Sequence, residues 1–100
     1  MAVSATDIAG VNPAANTYRK IYHIHIANTA GASSTVQLFV GATGGSAAGT
    51  ELVKSKTINA NDVLDLYFPS GLRIVAADFL SGIASATTNV ITVTGESFVL

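Results

Sequence analysis

The sequence predicts an all-β protein, an antiparallel β-sandwich with Greek-key or jelly-roll-like connections and about seven to eight short strands. Three observations lead there. Apolar and polar residues alternate in short runs, the period of strands whose side chains leave opposite faces. Turn signals return roughly every 8–12 residues. No period near 3.6 persists for three turns, which argues against helices. One hundred residues make one domain, large enough to bury a core without disulfides.

The organising stretch is 18–40, read as YRKIYHIHIANT, AGASS and TVQLFV. Strict alternation puts Tyr18, Lys20, Tyr22, Ile24 and Ile26 on one face of its first strand. Arg19, Ile21, His23, His25 and Ala27 take the other. In the second strand Val36, Leu38 and Val40 oppose Gln37 and Phe39. The small polar loop between them predicts a hairpin. Upstream, residues 1–16 are Ala-rich and weakly patterned. They are expected to form an N-terminal arm, with one short edge strand near Val3–Ile8 broken by Gly10 and Asn12-Pro13. The sandwich domain is then 17–100.

Downstream, GATGGSAAGT is expected to be a surface loop. ELVKSKTI follows as a strand, with Lys54 and Lys56 suited to guarding a sheet edge. Asn59-Ala60-Asn61-Asp62 is a turn, and Asp62 is its cap. VLDLYF turns Leu64, Leu66 and Phe68 inward and Val63, Asp65 and Tyr67 outward. Pro69-Ser70-Gly71 reads as another turn, followed by LRIVAA with Leu72, Ile74 and Ala76 inward. DFLSG leads into a strand IASAT or forms one helical turn at Asp78-Phe79-Leu80, with Asp78 a turn residue like Asp62. Thr87-Thr88-Asn89 makes the last turn. Val90–Thr94 is a strand, Gly95 is a bulge residue, and the apolar ending at Phe98, Val99 and Leu100 is expected to be docked.

Composition excludes several functions. There is no cysteine, so neither disulfides nor thiolate metal sites can form. A net charge of −1 gives no electrostatic footprint for nucleic acid or anionic lipid. No run approaches a membrane span, and the opening MAVSATDIAG lacks the features of a signal peptide. Charged residues make up 11% of the chain, against about 25% in ordinary soluble domains. A sheet protein so poor in charge has few means of blocking edge-to-edge association, so much of its surface is expected to be covered by neighbouring subunits.

Catalytic signals are weak. His23 and His25 are the only histidines. On a strand they project from one face about 7 Å apart, which allows a shared metal if a third ligand comes from elsewhere. No recognisable spacing supplies one. Gly44-Gly45-Ser46-Ala47-Ala48 lacks the second glycine of a nucleophile elbow and precedes a strand where an elbow needs a helix. The six acids show no converging pair. Phe39 and Tyr67, with Tyr18 and Tyr22, are candidates for stacking on a sugar. The expectation is therefore a non-enzymatic protein with no catalytic, cofactor-binding or metal residues and no cofactor.

IYHIHIANTAGASSTVQLFVGATGGSAAGTELV and INANDVLDLYFPSGLRIVAADFLSGIASATTNVITVTGE carry a resemblance. The Asn-Thr turn after a strand, the VQLFVG strand, the LDL strand, the Gly-Leu-Arg strand and the closing ITVTGE strand are similar to those of small all-β virion proteins of tailed bacteriophages. The likeness covers roughly 18–96 and is closest to the capsid decoration or cement type. It implies a location on the outer capsid surface after synthesis in the host cytoplasm. It also implies homo-oligomerisation, a trimer among the options, and the major capsid protein as partner, with neither nucleic acid nor membrane. It transfers no site residues. A carbohydrate-binding or tail and fibre module is the alternative.

Overall fold

A computed structural model describes residues 6–7, 15–41, 51–75 and 78–99. Seven antiparallel strands are present among them: β1 (Thr6–Asp7), β2 (Thr17–Asn28), β3 (Ser34–Gly41), β4 (Glu51–Ile58), β5 (Val63–Val75), β6 (Phe79–Ala84) and β7 (Asn89–Val99). They form one sheet in the order β1-β6-β3-β4 and another in the order β5-β2-β7. The all-β sandwich class holds, with β1 only two residues long. Its strands are less uniformly short than expected, since β2, β5 and β7 run to 12, 13 and 11 residues.

The stretch 18–40 does organise the molecule, but it is not a hairpin. β2 lies in the middle of the three-stranded sheet and β3 in the interior of the four-stranded sheet. Together they form a ribbon that folds over from one layer to the other. Two more ribbons flank it. In one, β4 pairs with β3 and β5 with β2; in the other, β6 pairs with β3 and β7 with β2. The third ribbon returns beside the first and not beside the second, a Greek-key-like path.

All three ribbons bend at one corner, and buried polar side chains hold it. Asn28 Nδ2 donates toward the carbonyls of Ala32 at 2.8 Å, Ile58 at 3.1 Å and Asn59 at 3.2 Å, while Asn28 Oδ1 accepts from the Ala30 N–H. Its strand partner Asn89 donates to Ala86 O and accepts from Ser34 Oγ. Asn28, Ser34 and Asn89 are all buried. Backbone bonds join the bends: Asn28 N–H to Asp62 O, Asn61 N–H to Ala30 O, Thr29 N–H to Thr88 O and Ser85 N–H to Thr35 O. Chains leaving a sheet lose their ladder partners, and a buried unpaired carbonyl is costly. An asparagine amide, with two donors and an acceptor, can replace several such partners at once. The Asn59–Asp62 turn forms as predicted, with Asn61 at φ 54° and Asp62 Oδ1 accepting from the Val63 N–H.

Ile21, Ile24, Ile26 and Ile74 from one sheet pack with Val36, Leu38, Ile58, Leu80 and Ala84 from the other. Ile21 joins Ile24 and Ile26 because the strict alternation read for β2 breaks at Tyr22. Between Ile21 and His23 the register with β7 slips by one residue, so Gly95 alone answers Ile21 and Tyr22. This β-bulge turns Arg19 and Ile21 to the core side with Ile24 and Ile26, and leaves Tyr18 and Lys20 outward with His23, His25 and Ala27. Gly95 is thus the partner of the bulge, on an uninterrupted β7. A Cβ there would overlap the Lys20 carbonyl oxygen.

Pro69-Ser70-Gly71 is likewise not a chain reversal. Residues on both sides of it pair with β2, Leu72 with Ile21 and Tyr67 with His23. The three residues are an excursion within one long strand, where Gly71 takes φ 81°. Residues 79–84 are strand and not a helical turn, but the strand comes earlier than the expected IASAT, whose Ser85, Ala86 and Thr87 lie in the bend that follows; Asp78 donates its N–H to Val75 O. In β4 the register with β3 shifts twice and Ser55 has φ 51°. Leu52 and Val53 consequently both pack against the core, which simple alternation did not anticipate. Lys54 and Lys56 are exposed on an edge strand, as expected. β1 supplies a short edge strand on β6, while the rest of the expected arm before Ala15 lies outside the described residues. So do the 42–50 loop, Ala76, Ala77 and Leu100.

Asn28→Ala removes the amide that serves three carbonyls and is expected to cost about 2–3 kcal/mol. Gly95→Ala is expected to lower stability by a comparable amount, about 1–3 kcal/mol, by prising β7 from the bulge. Urea denaturation measures both. A loss below about 0.5 kcal/mol, the size of an ordinary surface change, would contradict the corner for the first and the close approach for the second.

Candidate functional site

Among the described residues, the outer face of the three-stranded sheet carries the most concentrated chemistry. Beyond the bulge, β2 presents His23, His25 and Ala27 outward. The ladder sets His25 opposite Asp65 and Thr92, and His23 opposite Tyr67 and Thr94. Ala27 lies opposite Val63 and Val90, so the cluster borders a small apolar end of the sheet. Both imidazoles converge on one carboxylate oxygen. His23 Nε2 and His25 Nδ1 each lie 2.7 Å from Asp65 Oδ1. As hydrogen bonds to a carboxylate these require N–H on Nε2 of His23 and on Nδ1 of His25. Tyr67 stacks on His23 with ring centroids 4.5 Å apart and planes 3° from parallel, which fixes that imidazole's plane.

The site is half open to water. The side chains of His23, His25 and Asp65 retain 30%, 37% and 30% of their exposure. The hydrogen bonds from His25, and next those from His23, hold the Asp65 carboxyl below its ordinary pKa, with partial desolvation opposing them. Each bond stabilises the ionised carboxylate more than the neutral acid.

Among the described residues, His23, His25 and Asp65 bring three ligand atoms within 4.8 Å of one another. The sequence had supplied the two histidines and the outward direction of Asp65 and Tyr67, but not their meeting. Asp65 stands 40 residues from His25, and only the β2–β5 register joins them. The nucleophile-elbow-like segment at Gly44–Ala48 lies outside the described residues.

The aromatic candidates divide. Tyr67 is 69% exposed, whereas Phe39 is 3% exposed. Phe39 therefore cannot offer its face to a ligand, although alternation correctly sets it opposite Leu38 and Val40. Tyr18 stacks on Phe98 at 5.1 Å, with the Arg73 guanidinium 4.4 Å over the Tyr18 ring. Phe98 is docked in this way as expected, but its neighbour Val99 is exposed. No family model matches the chain, and neither the curated proteins nor the solved structures contain a significant match.

Carboxyl NMR titration should find Asp65 ionising below the ordinary aspartate range. His25→Ala should raise its midpoint more than His23→Ala. Because the folded-state value is depressed, the cluster's contribution to stability is present above the unfolded value, about pH 3.9, and is lost as pH falls through the folded one. An ordinary midpoint in the unaltered protein would contradict the cluster.

Proposed function

We propose that the protein is a non-enzymatic structural subunit of a tailed-bacteriophage particle, a decoration protein that seats on the outer capsid and stabilises it. The observation that carries the associative part of this reading is the contrast between sheet edges. β4 guards its free edge with Lys54, Lys56 and a bulge. β5 carries Asp65, Arg73 and the Pro69 excursion. β7 is the other edge of the three-stranded sheet and has fewer of these devices. Its eleven residues include no proline and one charge, Glu96, and Val90 and Val99 are exposed. A less guarded edge of that length is a template for another chain. A symmetric oligomer or a capsid subunit would cover it, and many such contacts on one shell add by multivalency. The capsid location itself rests on the resemblance of the strand and turn motifs.

The exposed Tyr67 ring favours one other reading, a carbohydrate-binding or tail and fibre module. Glycan-array binding abolished by Tyr67→Ala would support that reading over decoration.

Imaging of particles assembled with and without the chain tests the proposal. Added density on the capsid surface is expected, and a monomer indifferent to the shell would overturn it. Val90→Lys places a guarding charge on β7 and is expected to weaken self-association or particle binding about tenfold, or roughly 1.4 kcal/mol, without unfolding the chain. Light scattering and particle occupancy read the change, and an unchanged value for both would exclude this edge. Removing residues 1–16 bares the β6 edge that β1 covers. The sandwich should stay folded by circular dichroism while occupancy falls; unchanged occupancy would count against a role for the arm.

A further inference from the structure

We propose that His23, His25 and Asp65 bind one divalent late first-row transition metal ion, with zinc as the reference ion, on the outer face of the three-stranded sheet. The donor set is two imidazole nitrogens and a carboxylate oxygen. Such a set suits zinc and its neighbours, whereas magnesium and calcium favour oxygen donors.

The geometry is close to what such an ion needs. Nε2 of His23 and Nδ1 of His25 already converge on Asp65 Oδ1 at 2.7 Å each, and all three ligand atoms fall within 4.8 Å. Metal–ligand bonds of about 2.0–2.2 Å in a tetrahedral site set donor atoms roughly 3.3 Å apart. Each nitrogen then retreats from Oδ1 by about 0.6 Å, and the two nitrogens, now within 4.8 Å of each other, close by up to about 1.5 Å to reach that spacing, a rotation of both imidazole side chains. Each ring must also carry its proton on the other nitrogen, Nδ1 in His23 and Nε2 in His25, freeing the converging lone pairs for the ion.

The surroundings favour occupancy. The ligands stand on paired strands, with His25 directly across from Asp65, and the Tyr67 stack holds the His23 ring. Rigid positioning of this kind lowers the ordering cost of binding. From β7 the facing partners are Thr92 and Thr94, and toward the corner lie Ala27, Val63 and Val90. None of these is cationic. Lys20 and Arg73 lie on the same face beyond the bulge. The partial exposure of all three ligands leaves room for water as a fourth ligand, the arrangement of an open site.

Calorimetric titration of untagged, metal-stripped protein with zinc chloride tests the proposal, with cobalt(II) absorption reporting coordination geometry. One zinc per chain is expected, with tetrahedral cobalt bands. His23→Ala, His25→Ala and Asp65→Asn should each weaken zinc binding at least about tenfold, since even partners behind the ligands contribute roughly 10–100-fold. Circular dichroism checks that each variant keeps its strands. Magnesium chloride should not compete, and binding should weaken in acid as protons compete for the donors. Absence of stoichiometric zinc binding by the unaltered chain would overturn the proposal, as would folded variants that bind zinc as well as it does. Neither result bears on the decoration reading, which particle imaging tests separately.

Discussion

Asn28 sits where the central ribbon leaves the β5-β2-β7 sheet for the other layer, and its side chain bonds to the neighbouring bend in place of a lost ladder. Three ribbons turn at the same place, so their backbone groups would otherwise be buried without partners. The amide of Asn28 holds the β4–β5 bend, while Asn89 and Ser34 hold the β6–β7 bend against the start of β3. Among the described residues no buried side-chain nitrogen or oxygen is left unpaired. The corner also sets register. Asn28 N–H bonds to Asp62 O, and three residues along each strand from that bond His25 faces Asp65. One constraint thus fixes both the folding-over of the sandwich and the meeting of its most reactive side chains.

The class of fold was legible because period-two patterning survives in single strands. Leu64, Leu66, Leu72 and Ile74 all point inward as their alternation requires, and Asn61-Asp62 is a turn for reasons carried by those two side chains. What escaped was non-local. A ribbon folded between sheets and a hairpin share the same strand-loop-strand pattern, and the choice depends on β4–β5 and β6–β7 arriving alongside. Gly95 was legible as a bulge position, but the strand that carries the extra residue was not. Tyr22 reverses the apparent faces of β2, yet nothing in IYHIH marks it; the mark is Gly95, seventy-odd residues on, whose missing Cβ admits the Lys20 carbonyl. The histidines were visible as a pair. Their third partner was not, because Asp65 reaches them only across a strand pairing that sequence spacing does not encode.

The surface shows how a charge-poor chain distributes its few charges. Lysines are placed on the β4 edge, and Asp65 is held by two histidines. On the far side of the Tyr22 bulge, Arg73 covers Tyr18 and Lys20 stands 5.9 Å from the Phe98 ring, each cation resting on an aromatic face. β7 is left nearly neutral. This uneven protection leaves β7 the less guarded edge of the three-stranded sheet, one strand away from the His–Asp cluster on β2 and β5.

Native-state hydrogen exchange at the corner tests the account most directly. The amides of Asn28, Thr29, Asn61 and Ser85, which tie the three bends together, are predicted to exchange only through global unfolding, with the same protection as Ile24 and Leu38 in the core. Fast exchange at these four amides while the core stays protected would show that the bends open on their own, and would contradict a fold held together at its corner.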